Sequence, residues 1–167
     1  MATNRGKDFE CVIRDAFSRV DNTSVVRLPD PTNGYLGIRN ISDFIVYNYP
    51  YQYFIECKSV HGNTLSIHTN NPRNKYGNIS NNQWDGMLEV SKIHGVVAGV
   101  ICWWVDFDVT KFIPILSLQD MRDEGLKSIR YDDTEHYMIP ITGVKKRIFF
   151  DYDMNTFFKT IKKEFFM

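Results

Sequence analysis

Three side chains carry most of the chemistry this chain offers: Asp43, Glu56 and Lys58. Glu56 and Lys58 stand two apart in the run Phe54-Ile55-Glu56-Cys57-Lys58-Ser59-Val60. Side chains of an extended strand alternate faces, so this spacing points Glu56 and Lys58 the same way and Cys57 into the opposite layer. The apolar neighbours put the charges in a half-buried strand, where a carboxylate is costly unless paired or bound to a metal. Asp43 opens the preceding extended run, and a hairpin would bring it within reach. Two adjacent carboxylates repel, and a divalent cation relieves that repulsion. Mg²⁺ takes oxygen ligands and keeps several waters, and Asp43, Glu56 and the carbonyl of Cys57 could supply three protein oxygens. Lys58 could then orient an attacking water or stabilise charge growing on a phosphate. The residues alone leave a second reading open: a solvated strand face on which Glu56 and Lys58 form a surface ion pair worth little.

The elements that must position these groups follow from pattern. Phe9, Val12, Ile13, Ala16 and Phe17 recur at helical spacing and predict a helix over 5–20. Residues 24–28 predict a short strand, and Pro29-Asp30-Pro31-Thr32-Asn33-Gly34 a turn-rich stretch. Strands are expected over 42–47 and 52–60, joined by Asn48-Tyr49-Pro50-Tyr51 as an antiparallel hairpin. A further short strand is expected over 64–68, a loop over 70–82, and a helix from near Ser80 to Ile93. The apolar run 96–105 predicts a central strand buried on both faces. A strand over 111–116, a short helix over 117–124 capped by Ser117, an extended stretch over 136–141 and a terminal helix over 153–166 complete the series. The expectation is an α/β or α+β architecture, a mixed sheet with helices packed on it.

The pattern Ser42-Asp43, then Glu56-Cys57-Lys58, resembles the PD-(D/E)xK nuclease motif, with Ser in place of its Pro. More of the chain resembles one branch of that superfamily, the RecU-type Holliday junction resolvases. Asn4-Arg5-Gly6 with Glu10 is similar to that family's N-terminal motif. Thr64 has a counterpart after the catalytic strand, and Gln83 and Met87 fit the next helix. Lys127-Ser128-Ile129-Arg130 followed by Ile139-Pro140-Ile141 resembles the C-terminal segment. The resemblance implies a restriction-endonuclease-like core and dependence on Mg²⁺, with Mn²⁺ able to substitute. It also implies a homodimer that resolves four-way DNA junctions by paired cleavage. Asp43 and Glu56 would be metal ligands, Lys58 the catalytic lysine, Glu10 an auxiliary acid, Gln83 a polar group near the scissile phosphate, and Arg5 a phosphate contact. One departure stands out: the family's long stalk before the motif Asp is represented only by residues 28–41, an abridgement that would suit a phage-encoded relative. That shortening keeps open a nuclease of the same class acting on duplex or other branched DNA. A non-catalytic DNA-binding module is the remaining alternative.

Composition bounds the rest. The chain has 167 residues, 43% hydrophobic and 14% aromatic, which suits a single nuclease domain over 1–167. Lys+Arg and Asp+Glu both number 20, so there is no global basic coat, and contact with nucleic acid must use a local patch. Candidates for that patch are Arg73 and Lys75 in the loop after the catalytic strand, and Arg39 in the short stalk segment. Lys145-Lys146-Arg147 and Lys159 with Lys162-Lys163 are further clusters, each as readily a solvated surface. Cys11, Cys57 and Cys102 lack CxxC spacing and read as reduced thiols of a cytoplasmic protein in a bacterial or phage-infected cell. No N-terminal apolar run marks a signal peptide, and the longest apolar stretch is too short to span a bilayer. The four histidines have no zinc-ligand spacing and read as surface or loop residues. No GxxxxGK[ST], GxSxG or GxGxxG motif occurs, which removes the commonest NTPase, hydrolase and dinucleotide readings. Phe157, Phe158, Ile161 and Phe165 form a stripe on the terminal helix, expected as core with a dimer interface as a second use.

Overall fold

A computed structural model describes residues 4–29, 40–73 and 75–167. The helical periodicity near the start produces α1, Arg5–Ser18, whose N-cap Asn4 accepts from the Lys7 amide and whose buried stripe is Phe9, Ile13, Ala16 and Phe17. Strand β1, Thr23–Arg27, precedes the expected hairpin of β2, Phe44–Asn48, and β3, Tyr51–Val60. Then follow β4, Thr64–Ser66, α2, Asn81–Ser91, and β5, Val96–Trp104. After β6, Val109–Pro114, come α3, Ile115–Asp123, and the short strands β7, Ser128–Arg130, and β8, Ile139–Pro140. A small hairpin of β9, Gly143–Lys145, and β10, Phe150–Tyr152, leads into α4, Met154–Phe166, capped by Asp153.

The main sheet has the order β1-β2-β3-β5-β6-β8. Its β3–β5 pair is parallel and its other pairs are antiparallel. A parallel pair cannot be closed by a tight turn and needs a long crossover. That crossover runs through β4, the loop behind it and α2. Helices α1 and α4 bury Phe9, Phe17, Phe157 and Phe158 against Tyr53, Ile55, Cys57 and Phe112 on one face of the sheet. Helices α2 and α3 bury Trp84, Met87, Leu118 and Met121 against Val100, Cys102 and Ile113 on the other. Strand β5 feeds both layers alternately, Val97, Ile101 and Trp103 to the first and Ala98, Val100, Cys102 and Trp104 to the second, as a central strand must. This is the expected mixed α/β core, a sheet flanked by helices.

The structure corrects several boundaries. Helix α3 begins at Ile115 behind Pro114, so Ile115 and Leu116 are helical rather than strand and Ser117 is not the cap. Pro114 has no amide proton and its fixed φ suits the position before a first turn. The stretch 136–141 is extended only at Ile139–Pro140. Strands β9 and β10 were not expected, since Gly143, Lys145 and Asp151 blur any alternation. His136 is no ordinary surface residue: its ring reaches Glu124 Oε2 at 2.9 Å and Asp133 Oδ2 at 3.0 Å. Among the described residues no helix is long and apolar enough to cross a membrane.

One close approach sets the position of Asp43. Asn82 Nδ2 donates to the Asn40 carbonyl at 3.1 Å, holding the strand that enters β2 against α2. A Cβ on Gly86 of α2 would lie 2.2 Å from Ile41 Cγ2 and 2.8 Å from its Cβ. A β-branched side chain cannot swing aside cheaply. Alanine at an exposed helical site would gain about 1 kcal/mol over glycine, but overpacking here costs about 1–3 kcal/mol. Gly86→Ala is therefore expected to lower the melting temperature, and Ile41→Ala in the same chain to recover part of it. A Gly86→Ala protein more stable than wild type in thermal denaturation would contradict this packing.

Candidate active site

The hairpin register pairs Phe44 with Ile55, and the Asp43 amide donates to the Ile55 carbonyl at 3.1 Å. One step further along, Asp43 faces Glu56. The Cys57 amide donates to Asp43 Oδ2 at 2.8 Å, so the carboxylate ends the ladder where β2 supplies no carbonyl. The N–H and C=O of one strand residue point to the same side, which directs the Cys57 carbonyl toward Asp43. Alternation along β3 sends Tyr53, Ile55 and Cys57 into the layer under α1 and α4. Glu56 and Lys58 take the opposite face, where Lys58 Nζ lies 2.8 Å from Glu56 Oε1. The Glu56 side chain is only 3% exposed and that of Lys58 24%. Burial at this level departs from the solvated ion pair that the spacing alone left open.

The electrostatics are those of acids forced together. Burial, and after it the facing Glu56, raise the Asp43 carboxyl against the opposing pull of the Cys57 amide and Lys58, and together these leave it pushed up to about 7. Burial also raises Glu56, against the opposing pull of Lys58 and the Gln83 side chain and with the charge of Glu10 adding to the rise. Glu56 Oε2 is buried and has no hydrogen-bond partner. A buried acceptor left unpaired costs about 1–3 kcal/mol, more when charged. Burial holds the Cys57 thiol well above its ordinary range, so its sulfur is a protonated core group and only its backbone is available to the site.

These groups fit a small, hard cation. The donors are all oxygens, two carboxylates and a directed backbone carbonyl, and Mg²⁺ is bound through one or two carboxylates with substrate phosphates and water completing its shell. Among the described residues no set of three or more His, Cys, Asp or Glu side chains forms a ready-made metal cluster.

Of the other residues expected at the site, Glu10 and Gln83 are drawn in. Glu10 acts on Glu56 and Cys57 through its charge. It is held by Arg27 Nη2 at 3.2 Å, from the end of β1. Gln83 arrives from the first turn of α2, where it closes a capping box with Ser80. Arg5 opens α1 and is exposed; its charge acts on Asp106, which binds His61 Nδ1 at 2.9 Å and the Gly62 amide at 2.6 Å just beyond β3. Arg73 and Lys75 are exposed in the loop before α2, and the Lys75 amide donates to Asn81 Oδ1 at 3.1 Å at the start of that helix. Arg39 lies outside the described residues, as does most of the short stalk segment. The flanking Pro29 carbonyl accepts from Asn40 Nδ2, so the two ends of the segment meet. The basic clusters at 145–147 and 159–163 are elsewhere: Lys145 pairs with Asp108, and Lys162 donates to Asn48 Oδ1 at 2.7 Å near the hairpin tip. Arg27 carried no signal in the sequence because it belongs to no motif and meets Glu10 only through the pairing of β1 with β2.

No family model matches the chain, and no curated protein matches it. Among solved structures it is similar to that of Hjc from Archaeoglobus fulgidus, a Holliday junction resolvase from an archaeal hyperthermophile. The two are 14% identical, the match covers 80% of this chain and 84% of that one, and the TM-score is 0.41. A likeness this distant does not carry an activity from one protein to the other.

The raised Asp43 carboxyl has a measurable consequence. The folded chain keeps a proton between its ordinary value of 3.8 and about 7 that the unfolded chain has lost. Stability from this group is full below pH 3.8 and is lost as pH rises through 7. His136, also raised, adds a decline above its ordinary 6.5, so the comparison must be made against a variant. Relative to Asp43→Asn, metal-free wild type is expected to lose melting temperature steadily from pH 4 to pH 7.5. Parallel curves for the two proteins would mean that Asp43 is not under this strain.

Proposed function

We propose that this protein is a metal-dependent DNA endonuclease of the PD-(D/E)xK type, and that its substrate is the four-way junction. The observation that carries the reading is the acid pair, Glu56 buried and Asp43 half-buried. Asp43 and Glu56 face each other on adjacent strands, Glu56 Oε2 has no partner, and the Lys58 ammonium stands 2.8 Å from Glu56 Oε1. A structural ion pair would satisfy its acceptors, and an acid pair with nothing to hold would raise the energy of the fold to no purpose.

In this reading Asp43, Glu56 and the Cys57 carbonyl hold Mg²⁺, for which Mn²⁺ substitutes. The bound cation supplies Lewis acidity toward a phosphoryl oxygen and acidifies water. Lys58, whose Nζ stands 2.8 Å from Glu56 Oε1, would donate to the phosphoryl oxygen on which charge develops. Gln83 orients a water or a phosphate oxygen from the helix side, and Glu10, steadied by Arg27, adds negative charge at the edge. Arg5, Arg39, Arg73 and Lys75 meet the flanking phosphates, which fix register without reading sequence. We read residues 1–167 as one nuclease domain acting in the cytoplasm of a bacterial or phage-infected cell. It would act as a homodimer, since paired cuts need two sites.

The test incubates labelled four-way junction, linear duplex and flap DNA with the protein in Mg²⁺, Mn²⁺ or EDTA. Cleavage is expected to require the metal and to favour the junction, with gel filtration reporting a dimer. Glu56→Gln, Asp43→Asn and Lys58→Ala are each expected to lower kcat by about 10²-fold or more. Mn²⁺ should raise the melting temperature of wild type, because it binds the folded state, and leave Glu56→Gln unmoved. Cutting in EDTA, or full activity in Glu56→Gln, would remove this mechanism. Equal cleavage of all three DNAs would keep the nuclease and remove junction selectivity; junction binding with no cutting under any metal would favour a non-catalytic module.

A further inference from the structure

The segment between β4 and α2 carries Arg73 and Lys75 on a base that is fastened on every side. Gly77 packs so tightly on β4, at φ 68°, that a Cβ there would meet the Ser66 carbonyl at 2.5 Å. The Asn78 amide donates to Ser66 O at 2.9 Å and the Ser66 amide to Asn78 Oδ1 at 2.8 Å. The Tyr76 ring stacks on Trp84 of α2 with centroids 4.5 Å apart, and its hydroxyl donates to Asp85 Oδ1 at 3.1 Å. The Thr69 amide donates to the Lys75 carbonyl at 3.1 Å, joining the chain before Arg73 to the chain after it.

Arg122 of α3 joins these limbs. Its Nη1 donates to the Ile67 carbonyl and to the Lys75 carbonyl, both at 3.1 Å. Its guanidinium carbon lies 4.3 Å from the centre of the Tyr76 ring. One planar group thus ties the outgoing chain after β4 to the returning chain before α2, while covering the aromatic ring that docks the loop. A lysine ammonium could donate to the two carbonyls, but it has no flat face to lay over the Tyr76 ring at the same time. A loop held in place before its ligand arrives loses less conformational freedom on binding, and that difference appears as affinity.

We propose that Arg122 is a positioning residue for DNA: it touches no nucleic acid, and it holds Arg73 and Lys75 in the arrangement that meets the phosphates. The proposal rests on the nuclease reading above and extends it to a residue of α3 that no motif marks. It predicts an effect on substrate binding and none on the chemical step.

The experiment measures binding of labelled four-way junction in Ca²⁺ across a salt series, and steady-state cleavage in Mg²⁺. It compares wild type, Arg122→Gln, Arg122→Lys, Arg73→Gln/Lys75→Gln and the triple variant with Arg122→Gln. Both Arg122 variants are expected to raise Kd and KM about tenfold, the scale of one charge-assisted hydrogen bond. They should leave kcat within about twofold. The slope of log K against log salt should become shallower by about one for each phosphate that is no longer neutralised. The triple variant should bind no worse than Arg73→Gln/Lys75→Gln, because residues acting through one another are not additive. A wild-type Kd in Arg122→Lys would show that the flat guanidinium over Tyr76 does not hold the loop and would overturn the proposal. So would weaker binding by the triple variant than by Arg73→Gln/Lys75→Gln, or a fall in kcat at unchanged KM. Failure of both Arg122 variants to reach the wild-type circular dichroism spectrum would assign the residue to fold stability and overturn it equally. Wild type that neither binds nor cuts DNA removes the nuclease reading and this inference together. Wild type that cuts, with an unchanged KM in Arg122→Gln, removes this inference alone.

Discussion

Two carboxylates meet at the edge of a sheet interior, and the surrounding structure is arranged around keeping them there. Their repulsion would ordinarily be relieved by turning one side chain to water. Asp43 cannot turn, because the Cys57 amide holds its Oδ2 at 2.8 Å in the place of a ladder carbonyl. Glu56 has no water to turn to, because its side chain is only 3% exposed and lies against Lys58 Nζ in a strand paired on both edges. What remains is protonation or an external positive charge. Burial raises both carboxyls toward the first, and Lys58 on one oxygen of Glu56 supplies only part of the second.

The sheet makes that strain tolerable by separating its two faces. Cys57, between Glu56 and Lys58 in sequence, turns its side chain into the layer of Phe9, Phe17 and Phe158 and offers the site only its backbone. On the opposite face Phe54 and Val60 flank the charged pair and pack with the layer of Trp84 and Met87. The strand is therefore anchored by apolar residues on both sides of the site and on both faces at once. Removing any one of these anchors would shift the pair only slightly, since protein interiors are close-packed and relax little.

Much of this could be read from residue types. Period-two alternation put Glu56 and Lys58 on one face and Cys57 on the other, and the apolar run of β5 announced a strand buried on both sides. The hairpin followed from two strand runs separated by a turn too short for anything else. What escaped were contacts between elements distant in sequence. Arg27 reaches Glu10 only because β1 pairs with β2 and α1 packs on the same face. Arg122 lies 55 positions from Ile67, and its partners there are carbonyls, which every residue has and no motif marks. His136 gave no signal either: Asp133 is a local neighbour, but Glu124, 12 positions back, meets the ring only when the chain turns back from α3.

The helix that covers the site shows how one residue can serve fold and site together. Ser80 and Gln83 satisfy each other's backbone amides in the capping box, with the Ser80 amide donating to Gln83 Oε1 at 3.1 Å and the Gln83 amide to Ser80 Oγ at 3.2 Å. Such a box is worth having for the helix alone. Committing Oε1 to the cap also decides which end of the side-chain amide is left over, and the remaining group is the NH₂ donor. That donor favours the ionised form of Glu56, as the direction of its effect on the carboxyl shows. A glutamate at 83 could close the same box, but it would bring a further negative charge to a pair already crowded with them. The choice of amide over acid at this position is therefore explained by the site, while its distance from Ser80 is explained by the helix.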